Sequence, residues 1–169
     1  EFLAFVKANP GKFNIAHAAG GNMLETHRFI RTAGLDMLPV QYKGTAQMIQ
    51  AIMTNEVQAT LGTVLGLEAN VKAGKVLALA VASDRRFWSL PDVPTTKEAA
   101  GVDFEGSVQF GFFTTGGTPR PVVDRLSREL ADIAKGELSA QIRKQGYEVL
   151  TMTPDEWTAS ILAEGRRGQ

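Results

Sequence analysis

Apolar positions switch between two spacings along the first half of the chain. Phe2, Phe5 and Val6 recur at helical intervals, and Asn9-Pro10-Gly11 ends that helix. Phe13 to His17 alternates as a short strand does. Gly20-Gly21-Asn22 is a turn with a candidate helix cap, and residues 23–33 read as a helix closed by Gly34. Met37 to Tyr42 reads as a second strand. Gly44-Thr45 opens a helix through Met53, with Ala46, Ile49, Ile52 and Met53 on one stripe. Val57 to Gly62 is a third strand and residues 66–73 a short helix stopped by Gly74. Val76 to Ala82 is apolar throughout, as expected of a central parallel strand buried on both faces.

This β-α-β-α-β-α-β alternation with short connections predicts an α/β fold, a parallel-dominated sheet covered by helices. Right-handed crossovers place the strand-to-helix loops on one edge of that sheet. After Ser83 the rhythm changes. Arg85 to Thr95 is a loop holding Pro91 and Pro94, Thr96 to Ala100 is a helical turn, and Phe104 to Thr115 is a long extended run expected to re-enter the sheet near Phe104. Thr118 is the expected cap of a helix with Pro119 at its first position. Helices are expected at about 120–135 and 137–145, a strand at Tyr147 to Leu150, and a last helix opened by Thr153 and Glu156 in a capping box.

Composition narrows the function classes. With 169 residues, 44% hydrophobic and 21% charged, the chain has a globular make-up. Eighteen basic residues balance eighteen acidic ones, so nothing suggests a nucleic-acid partner. Cysteine is absent, which removes thiol nucleophiles, disulfides and Cys-based zinc sites. The N-terminal residues have no signal-peptide pattern and read as a helix already under way, so the chain is expected to be a piece of a larger protein.

Catalytic constellations are scarce. The two histidines, His17 and His27, have no carboxylate at ligand spacing, so no metal and no other cofactor is expected. Gly106-Ser107-Val108-Gln109 lacks the spacing of a nucleophile elbow, and Gly66 with Gly74-Lys75 makes no phosphate loop. The sheet offers anion binding instead, because ligands of open α/β sheets sit beyond the carboxyl ends of the strands. Three loops belong there, Ala18–Asn22, Lys43–Thr45 and Thr63–Gly66, each opening a helix whose free N–H groups and dipole favour an anion. The candidate ligand-binding residues are His17, Ala19, Gly20, Gly21, Asn22, Tyr42, Gly44, Thr45 and Thr63. Tyr42 reads equally well as a wall of the site or as a core residue.

Five segments in order resemble one known family. Ala8-Asn9-Pro10-Gly11-Lys12-Phe13-Asn14, Val40-Gln41-Tyr42-Lys43-Gly44-Thr45, Lys72 to Val81, Leu90-Pro91-Asp92-Val93-Pro94-Thr95, and Phe110 to Phe113 with Gly117-Thr118-Pro119 are similar to stretches of the tripartite tricarboxylate transporter substrate-binding proteins, the Bug or TctC family. The resemblance implies a periplasmic type II binding protein with two lobes, which captures a small carboxylate and delivers it to membrane transporter subunits, with no enzymatic step. It places residues 1–105 in the second lobe and 106–169 in the crossover and the C-terminal part of the first lobe. The rest of the first lobe is expected to lie outside this chain. The apolar stripes of residues 108–169 are then expected to self-associate when the chain stands alone. Two departures concern the ligand. Met23 stands where the family carries a histidine, and Thr63-Val64 where many members carry Asp-Asn, so the site is less polar. Two other readings stay open on the residues alone: an α/β enzyme with its active site outside the chain, and the ligand-sensing domain of a regulator.

Overall fold

The computed structural model describes residues 1–106, 109–144 and 147–167. They form two compact units, Glu1–Gln109 and Phe110–Gln169. The first unit begins with α1 (Phe2–Ala8), β1 (Phe13–Ala18), α2 (Gly21–Ala33), β2 (Met37–Tyr42), α3 (Thr45–Met53), β3 (Ala59–Thr60) and α4 (Val64–Lys72), and ends with α5 (Thr96–Ala100). The strands make a parallel sheet in the order β2-β1-β3. Phe13 pairs with Met37 and Ala18 with Tyr42, so β1 and β2 end level.

Strand alternation sends successive residues of the central strand to opposite faces. Ile15 packs with Val6, Ala33, Leu35 and Met37 under α1 and α2, while Ala16 packs with Met48, Ala51 and Val57 under α3. Gly34, at φ 61°, turns the chain out of α2 by donating its N–H to the Arg31 carbonyl. That left-handed cap returns Leu35 to the core beside the next strand. In the middle of α2, Arg28 bonds Glu25 at 2.6 Å, lies over the Phe104 ring and donates to the Glu105 carbonyl. These contacts fix residues 104–105 against the helix.

The expected fourth strand is corrected. Residues 77–80 run without ladder partners among the described residues, and Leu77 and Leu79 are 79% and 47% exposed. Val81 is held by a parallel bridge to Thr95. An apolar run becomes a buried strand only when a neighbour supplies hydrogen bonds and helices cover both faces. Here β3 is two residues long, and Val57, expected inside it, instead buries itself against α3 and donates its N–H to the Ala51 carbonyl. Nor does the chain re-enter the sheet near Phe104: Gly106 donates one bond to the Ala82 carbonyl and no ladder follows among the described residues. Ser107 and Val108, part of that expected strand, lie outside the described residues.

The second unit holds α6 (Arg120–Lys135), α7 (Glu137–Lys144) and α8 (Pro154–Arg167). No described residue in it is buried, and Phe110, Phe112 and Phe113 are exposed. Residues 147–150 form no ladder among the described residues, so the strand expected there is also corrected; Gln145, the expected end of α7, lies outside the described residues. The cap of α6 is Pro119 rather than Thr118, which is bonded back to Thr115 instead, and Pro121 falls in the first turn, where a missing N–H is tolerated. The Thr153–Glu156 capping box forms as the sequence predicts: Thr153 N–H donates to Glu156 at 2.8 Å, and Glu156 N–H to Thr153 Oγ1 at 3.3 Å.

Candidate functional site

Three strand-to-helix connections gather at the carboxyl edge of the sheet, residues 19–20, 43–44 and 61–63. Each leads into a helix of nine residues or more, whose first N–H groups have no partner within the helix. Neither α2 nor α3 is capped by a side chain. Their N-cap residues are Gly20 and Gly44, whose carbonyls accept the first intrahelical bonds, from Met23 and Leu24 and from Gln47 and Met48. Their open first turns can donate to an anion. By contrast, α4 is capped by Thr63, whose Oγ1 accepts Gly66 N–H at 3.3 Å, leaving the hydroxyl proton free to donate.

The two glycine caps differ in kind. Gly20 sits at φ 73°, ψ −137°, a conformation that L side chains rarely adopt, whereas Gly44 is fully extended at φ 175°, ψ 176°. A Cβ at either position would meet nothing within 4 Å. Ala19 and Gly21 flank the first cap and Thr45 begins α3, so these predicted residues share the edge.

Asn22 acts within the protein. Its Oδ1 accepts Ala18 N–H and its Nδ2 donates to the Leu61 carbonyl at 2.7 Å, so one side chain joins the first loop to the third. The start of α3 meets the first turn of α4 at Gly66, where an added Cβ would stand 3.1 Å from both Thr45 Cγ2 and Thr63 Oγ1. Nothing in the sequence pattern singles out Leu61, because its contact with Asn22 is made across loops far apart in the chain. Tyr42 packs against the α3-side core and its phenol donates to Glu56 Oε1 at 2.8 Å. That hydrogen bond to a carboxylate, aided by partial burial, pushes the phenol above its ordinary range. Tyr42 is therefore engaged on the core side of its loop.

His17 is 3% exposed and its Nδ1 lies 2.9 Å from the Ala18 carbonyl. Its ring meets His27 of α2 at 5.8 Å between centroids. The sequence spacing suggested no histidine pair; strand-on-helix packing makes one. Among the described residues no set of three His, Asp or Glu side chains gathers as metal ligands. Likewise, among the described residues no helix is long and apolar enough to cross a membrane. A depression of about 490 Å³ lies in the second unit between Arg120, Asp124, Arg128 and Pro154. It holds none of the predicted ligand residues.

Residues 1–166 match the family described as "Tripartite tricarboxylate transporter family receptor". The chain belongs to that family. It is a family of periplasmic transport receptors, not of enzymes. Among curated relatives, a UPF0065 protein in the tcbD-tcbE intergenic region of Pseudomonas sp. (strain P51) is 31% identical over the whole of this chain and 52% of its own length. Protein BugT of Bordetella pertussis is 28% identical over 98% of this chain and 52% of its own. The receptor-family chain thus spans about half the length of these curated relatives. Among solved structures, the periplasmic binding protein BugD superposes with a TM-score of 0.75 at 28% identity, over 99% of this chain and 57% of its own. An R. palustris protein described with adipate superposes at 0.81 with 23% identity, over 98% of this chain and 56% of its own, and supports the fold.

Proposed function

We propose that this chain contributes one ligand-binding wall of a periplasmic receptor that captures a small carboxylate and delivers it to the membrane subunits of a tripartite transporter. Residues 1–105 are read as the second lobe and residues 106–169 as the crossover and the C-terminal part of the first. The observation that carries the reading is the gathering of three helix-opening loops at one sheet edge, two of them capped by glycine and none by an acidic side chain. Such an edge presents N–H donors to an anion without a competing negative charge. The relatives described with adipate and with malate supply the ligand class, and make a dicarboxylate the first choice. Gly20, Gly21, Gly44 and Thr45 are proposed to donate through the backbone and Thr63 through its hydroxyl, while Ala19 lines the loop. His17 and Tyr42, both engaged inside the protein, contribute shape.

The test is calorimetry on the protein extended to its relatives' length, with adipate, malate and a matched diamine as titrants. Saturable binding of a carboxylate and none of the diamine is expected. Absence of carboxylate binding overturns the proposal, and turnover of the bound acid, followed by mass spectrometry, favours the enzyme reading.

A further inference from the structure

We infer that Asn22 is a positioning residue for the carboxylate site, a strut that holds the α2 and α4 loops at the spacing a ligand requires; this rests on the receptor reading above. Three observations carry it. Both polar ends of the Asn22 side chain are taken, Oδ1 by Ala18 N–H and Nδ2 by the Leu61 carbonyl at 2.7 Å. Its own backbone carbonyl accepts the hydroxyl of Thr26, a residue with no exposed surface, at 2.9 Å, so the strut is rooted in the core. The helix that follows the loop it reaches is itself seated on the α3 start, through the close approach of Gly66 in the first turn of α4 to Thr45.

The chemistry requires an amide. One end must accept an N–H and the other must donate to a carbonyl, and the asparagine side chain does both across a short span. Backbone donors bind an anion well when they are held in place before it arrives, since ordering a loop on binding subtracts from affinity. In this arrangement the side chain that looks like a ligand donor in the sequence has each polar end engaged within the protein, leaving one N–H of Nδ2 over. Its work is to keep the Gly20 and Thr63 helix starts in register.

The experiment uses the protein at its relatives' length with two variants and a control. Asn22→Leu removes both bonds, and Asn22→Asp keeps the acceptor but loses the donor to Leu61. Thr54→Val removes a hydroxyl that bonds the Gln50 carbonyl at the C-terminal end of α3, the end opposite the loops. Hydrogen exchange is read without ligand, and affinity for adipate and for acetate by calorimetry. Faster exchange at residues 61–63 in both Asn22 variants is expected. Binding should weaken by roughly tenfold, the size of a lost hydrogen bond, and by the same factor for both acids. Thr54→Val should show neither change. Weakened binding with unchanged exchange in the Asn22→Asp protein would mean direct contact or simple charge repulsion, and would overturn the inference. So would loosened loops with unchanged affinity. If Asn22→Leu fails to fold, the Asn22→Asp protein decides alone. A parent protein that binds no carboxylate sinks the receptor reading, and this inference with it. A parent that binds, with an Asn22→Asp variant that binds equally, sinks this inference only.

Discussion

Two glycines a few residues from the same sheet edge respond differently to substitution, because one is required by the backbone and the other is not. Gly20 occupies a positive-φ conformation, so Gly20→Ala should strain the native state by about 1–3 kcal/mol even though its Cβ would meet nothing. Gly44 is extended, a conformation open to any residue, and its Cβ direction is equally empty. Gly44→Val should therefore leave the urea midpoint unchanged. In the protein at its relatives' length it should weaken carboxylate binding by roughly 1–3 kcal/mol, the cost of leaving polar contacts unmet. Calorimetry and urea melts on the two variants check this contrast. An unchanged affinity in the Gly44→Val protein would remove Gly44 from the site.

At the scale of the element, α5 shows how a five-residue helix is made to persist. A single turn and a half cannot hold itself by propensity, since nucleation costs more than so few bonds return. Its start is fixed instead by a capping box: Thr95 Oγ1 accepts Glu98 N–H at 3.1 Å, and Glu98 accepts Thr95 N–H at 2.8 Å. Arg86 adds a bond to the same carboxylate, and Thr96 N–H donates to the Val81 carbonyl. Thr95→Ala should cost about 0.5–2 kcal/mol in urea unfolding. The backbone bond from Thr95, then the bond from Arg86, holds the Glu98 carboxyl below its ordinary range. A lowered native pKa means that the unfolded chain takes up the proton first on acidification. The stabilisation from this carboxylate is therefore complete above the ordinary glutamate pKa, about 4.3, and is lost as pH falls through the lower native value. Glu98→Gln should remove that part of the pH dependence. A Glu98→Gln protein that loses stability with acid as the parent does would refute the assignment.

At the scale of the molecule, the two units differ in what they bury. Glu1–Gln109 has two apolar clusters, one on each face of its sheet, and should unfold cooperatively when expressed alone. The second unit carries apolar stripes on its helices, with Val122, Leu126, Ile133, Leu138 and Leu162 exposed, and no described residue of it is buried. Exposed apolar surface of this extent marks an interface. The 18.2 kDa chain by itself should accordingly self-associate, as light scattering after size exclusion would show, while residues 1–109 alone should remain monomeric. A monodisperse monomer of the whole chain would overturn this expectation.

How much of this was legible from residues alone follows from where the relevant forces act. Helix starts and stops were largely legible: Gly34 as the left-handed cap of α2 and Thr153 with Glu156 opening α8 are local features, made by residues within a turn of each other. The order of β1, α2, β2 and α3 was legible too, because apolar spacing over consecutive residues reports which faces will be covered. So was the receptor family, carried by five motifs spread along the chain. Strand status was not legible at residues 77–80 or 147–150, where apolar residues suggest a strand but no partner among the described residues offers a ladder. Nor was the Asn22 strut, which depends on a carbonyl 39 residues away, nor the meeting of His17 with His27 across a strand–helix contact. A sequence on its own determines what each short stretch prefers and which side of it seeks cover. Only the tertiary structure decides which distant backbone group completes a side chain's hydrogen bonds, because that choice is made by packing between elements and leaves no mark in the spacing along the chain.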